Sequence, residues 1–218
     1  MKPIVQWLKD LDMNDSQAKK KIMQFAHLMG RTKEEGLKDH LEPLKQLFKD
    51  LGMDDSQVKT VIVRDPELLC YGLENKFKPI VQWLRDLGLD DARVSKVIVR
   101  LPQLFSYSLE SNLKPTLQWL KALGSDDAQV AKVITVLPQL FGLNLENNVK
   151  PKIEMLREQG FAADQIVRIV SSFPPLLGLS AKRLVSRMKV LEARDSLTEK
   201  SLCTVMRLTD AQFAARFS

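Results

Sequence analysis

Lysine and arginine recur at a regular interval along this chain of 218 residues. Lys9, Lys49, Arg85, Lys121 and Arg157 form one series, spaced by 40 residues at its first step and by 36 thereafter. Lys20, Thr60, Lys96, Lys132 and Arg168 form a second, basic at four of five places, and Lys2, Glu42, Lys78, Lys114, Lys150 and Ser186 form a third. The chemistry open to such series is the binding of a polyanion. If each member sits on a helix stacked about 8–10 Å from the next, five rungs span roughly 40 Å, about one turn of duplex DNA with its closely spaced phosphates. A plainer reading stands beside it. Lysine is the default residue of a solvated helix face, and duplicated units inherit their lysines together. Asp10, Asp50, Asp86 and Glu158 adjoin the first series and offset its field, whereas acids are sparser around the second. Net charge is +6, and it is uneven: residues 150–218 hold 12 Lys/Arg against 7 Asp/Glu, the other 149 residues 21 against 20. The C-terminal cluster Lys182, Arg183, Arg187, Lys189 and Arg194 is therefore the leading candidate for phosphate contact. Arg85, Arg93 and Arg100 qualify as readers of base edges by residue type alone.

Other reactive side chains have structural accounts. The acidic pairs Asp54–Asp55, Asp90–Asp91 and Asp126–Asp127, with Asp164, each precede an apolar stripe. Helix capping explains both their type and their position better than metal or acid–base chemistry does. Trp7, Trp83 and Trp119 have the geometry of base-stacking platforms, but their register beside Leu8, Leu84 and Leu120 favours core packing. Tyr71 and Tyr107 read as semi-buried packing residues. His27 and His40 have no cysteine or acidic pair at metal-ligand spacing and read as surface residues. Cys70 and Cys203 have no CxxC spacing and read as reduced thiols rather than a disulfide. With no phosphate-cradling glycine loop and no nucleophile–base set, the chain reads as a non-enzyme without cofactor or metal.

The elements that position these residues follow from the prolines. One class recurs at Pro43, Pro79, Pro115 and Pro151, the other at Pro66, Pro102, Pro138 and Pro174, both at intervals of 36 residues. Each unit carries two apolar stripes of helical period, such as Ile80, Trp83, Leu84, Leu87 and then Val94, Val97, Ile98, Leu101. Gly88 separates them, and Gly52, Gly124 and Gly160 take the same place in other units. The "LPQLF" proline ends the second helix near Leu101 because it lacks an N–H and clashes with the preceding turn. Leu104 and Phe105 then plug the corner into the core. The "LKP" proline suits a helix's first turn. Between them, "SLESNL" fits either a short 3₁₀ turn or an early, kinked start of the next helix. The period predicts an all-α solenoid of two-helix repeats, each burying its faces against its neighbours. It forms a single domain over 1–218: an irregular first repeat (1–42), regular repeats 43–78, 79–114, 115–150 and 151–186, and a partial repeat and cap (187–218). The next first-class proline falls due at position 187, where Arg187 stands.

The unit "LPQLFSYSLESNLKPTLQWLKALG" resembles the repeat of the mitochondrial transcription termination factor (mTERF) family. The likeness lies in the proline corner, the Leu-x-Pro helix start and the Leu-Gly helix end, and "LCTVMRLTDAQFAARF" is similar to that family's tail. The resemblance implies a curved, left-handed superhelix with a basic concave face. It implies binding of organellar nucleic acid, commonly double-stranded DNA and sometimes ribosomal RNA, and a role in transcription termination or initiation or in ribosome assembly. Mitochondrion or plastid is the implied location. Met1 opens in mid-unit, "MKPIVQWLKD" matching "FKPIVQWLRD" from Phe77, and no transit-like segment leads the chain. The chain thus reads as a shortened form of a longer protein.

The function expected is binding of duplex DNA, with RNA as a second target class, by a monomer that does not enter membranes. The alternative is a protein-binding scaffold whose concave surface holds a partner. The modest net charge keeps that alternative open.

Overall fold

The computed structural model describes residues 34–217 together with Ser16 and Lys20. The readings on Lys2, Lys9, Trp7, His27 and most of the irregular first repeat, and on the side chains of His40 and Cys70, lie outside what is described. Every regular element among the described residues is helical. The chain divides into two compact units, Met1–Tyr107 and Ser108–Ser218. The first contains α1 (Glu34–Asp50) and α2 (Asp55–Arg64), a 3₁₀ corner (Pro66–Cys70), a π turn (Leu73–Phe77), α3 (Lys78–Asp86), α4 (Asp91–Arg100) and a second corner (Pro102–Ser106). The second opens on a π turn (Leu109–Leu113) and continues through α5 (Lys114–Ala122), α6 (Asp127–Val136), a corner (Pro138–Gly142), a π turn (Leu145–Val149), α7 (Lys150–Glu158), α8 (Ala163–Ser172) and a corner (Pro174–Gly178). It closes on α9 (Ala181–Glu192), α10 (Glu199–Arg207) and α11 (Asp210–Phe217). These are the proline-punctuated helix pairs that the 36-residue period predicts.

Each corner follows from its proline. A residue before proline is pushed out of the α region, and Leu101 and Leu137 sit at φ −135° and −130°. The second helix therefore stops there, and the 3₁₀ turn aims two side chains inward. Leu104 and Phe105, Leu140 and Phe141, and Leu176 and Leu177 are all buried, each contributing about 1.5–3 kcal/mol of apolar burial. In the first unit, Phe77 packs on Phe105 with ring centroids 4.4 Å apart.

Helix ends obey the same local rules. Gly88 takes φ +82°, its N–H bonds the Arg85 carbonyl at 2.8 Å, and Leu89 N–H reaches back to Leu84 at 3.3 Å, closing α3 in the left-handed cap that only glycine adopts without strain. Asp54, Asp90 and Asp126 cap α2, α4 and α6 by accepting from the backbone N–H of Gln57, Arg93 and Gln129 at 2.7–2.8 Å. Asp164 departs from this pattern. Ala162 occupies the cap position of α8, with only Gln165 closing back onto its N–H at 2.8 Å.

The segment "SLESNL" resolves as a π turn that runs directly into α5: Leu113 N–H bonds the Ser108 carbonyl five residues back at 3.1 Å. A proline leaves the fourth carbonyl behind it without a donor and crowds it, and widening the turn relieves that contact. Position 187 supplies an internal control. Arg187 stands where Pro151 stands one unit earlier, and the equivalent stretch is α9, an uninterrupted α-helix. Pro43 shows that proline alone is not sufficient. It lies inside α1, which begins nine residues earlier at Glu34 and stays α-helical throughout. Pro79, Pro115 and Pro151 thus stand in the first turn of α3, α5 and α7, as the sequence suggests, each just after a π turn, whereas Pro43 lies within its helix.

Candidate functional site

Acids decide what each basic series can do. In the first, Lys49 meets Asp55 at 2.9 Å, Arg85 meets Asp91 at 2.7 Å and Lys121 meets Asp127 at 2.6 Å. The partner lies six residues on, in the first turn of the following helix, so the hairpin brings the pair together. The adjoining Asp50 and Asp86 instead accept from Gln46 and Gln82. Arg157 breaks the series because Ala163 stands where the acid would be, and it pairs with Glu154 at 2.7 Å. In the third series Lys78, Lys114 and Lys150 each pair with the glutamate one helical turn earlier, Glu74, Glu110 and Glu146. Exposed pairs of this kind add only about 0–1 kcal/mol to stability, but each cancels a positive charge.

The second series differs. Lys96 on α4 and Lys132 on α6 are exposed and pair with no acid among the described residues; Lys20 is exposed as well. Arg168 is exposed but committed: it makes a two-pronged bond to Glu199 of α10 at 2.8 and 2.9 Å and a third to Asp164 at 2.7 Å. Those bonds hold the Glu199 and Asp164 carboxyls below their ordinary pKa and raise that of Arg168, Glu199 being its largest influence. Lys132 and Arg168 line one hollow of about 300 Å³ with Asp126, Gln129 and Ser171.

The C-terminal cluster does not form one surface. Lys182 and Lys189 lie exposed on α9, seven residues apart, and pair with no acid among the described residues. Arg187 is 2% exposed. Its guanidinium donates to the Val205 carbonyl, to the Leu208 carbonyl at 2.9 Å and to Asp210 at 2.7 Å, and its carbon lies 4.6 Å from the centroid of the Phe213 ring. Burial, and then the charge of Arg183, lower its pKa, against the opposing pull of Asp210. Arg183 is half-buried, donates to the Leu208 carbonyl and faces Asp210 at 3.5 Å. Arg194 donates to the Phe217 carbonyl at 2.9 Å and stacks 5.0 Å from that ring. The expectation that Arg187 touches phosphate is therefore corrected: three carbonyl and carboxylate acceptors enclose it.

Two residues escape a sequence reading. Lys152 occupies a register otherwise held by Leu44, Ile80, Thr116 and Met188, and it is buried. Its ammonium donates to Asn148 and to the Leu177 carbonyl at 2.6 Å, tying α7 to the last corner, while burial lowers its pKa. Asn148 one turn earlier is the single signal. Lys200, exposed on α10, joins the unpaired cations. Trp83 and Trp119 are half-buried at the edge of the core beside the fully buried Leu84 and Leu120, and Tyr71 and Tyr107 are half-buried as expected. No helix among the described residues is long and apolar enough to cross a membrane.

A family model described as mTERF matches residues 1–186. Among curated proteins none matches the chain.

Proposed function

This chain belongs to the mTERF family, helical-repeat proteins that bind nucleic acid in organellar gene expression, and we propose that it binds double-stranded DNA in transcription termination or regulation. Its place would be the mitochondrion or the plastid, and its contacts phosphate contacts. One observation carries this reading. Once each acid is assigned to its nearest base, the cations left exposed include Lys96 and Lys132 of the second-helix series and Lys182 and Lys189 of α9. Unpaired lysines at recurring positions are point charges suited to phosphate, and they give affinity through counterion release. Arg85, Lys121 and Arg157 contribute less, because a phosphate has to displace a carboxylate to reach them. Arg168 serves the α8–α10 junction first.

The experiment is equilibrium binding to mixed-sequence duplex DNA and to single-stranded RNA across a salt series. The expected result is duplex binding whose log affinity falls linearly with log salt. Replacing Lys96, Lys132, Lys182 and Lys189 by alanine should flatten that slope by about 0.9 for each phosphate contact removed. RNA preferred over duplex would move the reading to ribosomal RNA. No salt-dependent binding to either would leave the protein-scaffold alternative.

A further inference from the structure

A helical repeat array needs its last apolar face covered, and α10 does this here: Leu202, Cys203, Val205 and Met206 are all buried. Helix α11 lies outside it, and none of its own residues is buried. Cation contacts with α9 and the residues just after it tie α11 down. Asp210 faces both Arg183 and Arg187, Phe213 lies under Arg187, and Phe217 receives both a hydrogen bond to its carbonyl and the stacked guanidinium of Arg194. The two rings stack on each other with centroids 4.8 Å apart. The acid at the centre of this arrangement is itself open to solvent, the Asp210 side chain being 83% exposed. An anion arriving from solvent can therefore exchange with it. Arg183 is left short even so: its Nε is buried and makes no hydrogen bond, the Asp210 oxygen standing 3.5 Å away.

The arrangement has a direction. On α9, Lys182 and Lys189 share an exposed stripe, while Arg183 and Arg187, four residues apart, share another that α11 covers; Arg194 lies just past the helix end. One helix thus carries two basic stripes side by side, one open and one closed. We propose that α11 is a displaceable cover over a second nucleic-acid contact surface, so that phosphates docked on Lys182 and Lys189 draw Arg183 away from the Leu208 carbonyl and Asp210, and Arg194 away from the Phe217 carbonyl. This rests on the nucleic-acid reading above. Arg187 stays in place through the Val205 carbonyl of α10 and acts as the pivot. The rings and the carboxylate of α11 are what a phosphate replaces, because both hold arginine by electrostatic attraction that water and salt weaken.

The test uses the full chain with Asp210→Asn, Phe213→Ala and Phe217→Ala combined, three side chains outside the core. Duplex binding should tighten, with the salt slope steeper by about 0.9 for each arginine freed. Wild-type binding with no change of affinity or slope in the variant overturns the cover and leaves the nucleic-acid reading intact. Absence of binding to DNA and RNA by both proteins overturns both. A second measurement needs no variant. In the wild type, saturating duplex should speed amide exchange across residues 210–217. Unchanged or slowed exchange there overturns the proposal.

Discussion

Lys132 and Arg187 are both cations on helices of the second unit, and they do opposite things. Lys132 projects from α6 into solvent, pairs with no acid among the described residues and lines an open hollow. Arg187 turns inward from α9 and gives its donors to the Val205 and Leu208 carbonyls and to Asp210. The local excess of positive charge lies around Arg187, yet the charge free to meet a polyanion lies on Lys132 and on the lysines flanking Arg187. Density of charge along the chain and density of charge on the surface are separate quantities. A guanidinium has five donors and a flat face, so it can satisfy several carbonyls and a ring at once. A lysine on an outward helix face stays solvated. Apart from the buried Lys152, arginine is the cation drawn into the helix junctions described here: Arg207 likewise donates to the Ser172 carbonyl at 2.8 Å and stacks on Phe173, and Arg168 clamps α8 to α10.

The sharpest way to break this contrast is Arg187→Ala beside Lys182→Ala. The first removes a donor from the Val205 and Leu208 carbonyls and from Asp210 and opens space beneath Phe213, and it should cost about 2–4 kcal/mol. The second should stay within about 0.5 kcal/mol. Urea denaturation of both variants reads the difference, and equal midpoints would place Arg187 among the surface charges after all. A smaller effect separates paired from unpaired bases within the repeats. Lys132→Ala should lower the salt slope of duplex binding by about 0.9, whereas Lys121→Ala, already neutralised by Asp127 at 2.6 Å, should change it little. Equal slopes for the two would mean that carboxylate pairing does not select the contact residues.

The smallest expected effect is one of pH, at the Arg168 clamp. Asp164 and Glu199 have folded-state pKa values below their ordinary 3.8 and 4.5, chiefly through the hydrogen bond from Arg168. A carboxylate with a depressed folded pKa contributes stability that is complete above its unfolded value and is lost as pH falls through the folded one. The clamp should therefore act fully above about pH 5 and fade below about pH 4. Thermal melts of wild type and Arg168→Gln should differ at neutral pH and converge in acid. A gap that persists in acid would show that Arg168 works through packing rather than charge.

How legible all this was in the sequence depended on how far apart the interacting atoms lie along the chain. Proline at 102 acts on Leu101, glycine at 88 closes bonds from Arg85 and Leu84, and Asp90 caps an N–H three residues away. Effects of that reach are written in neighbouring letters, so the helix ends, the corners and the buried plugs Leu104 and Phe105 could be read in advance. The conformation of "SLESNL" could not, because 3₁₀, α and π turns there differ by one residue in the register of their hydrogen bonds and the same letters tolerate each. The fate of the junction cations lay further off still. Arg187 finds Val205 and Leu208 about twenty residues on, Lys152 finds Leu177 in the corner beyond α8, and Arg168 finds Glu199 beyond that corner and α9. A cation's role is set by whichever acceptor comes within about 3 Å. Periodicity supplied the series of bases; glutamates one turn away paired some of them locally, and the packing of helix on helix sorted the rest into pairs, clamps and free lysines.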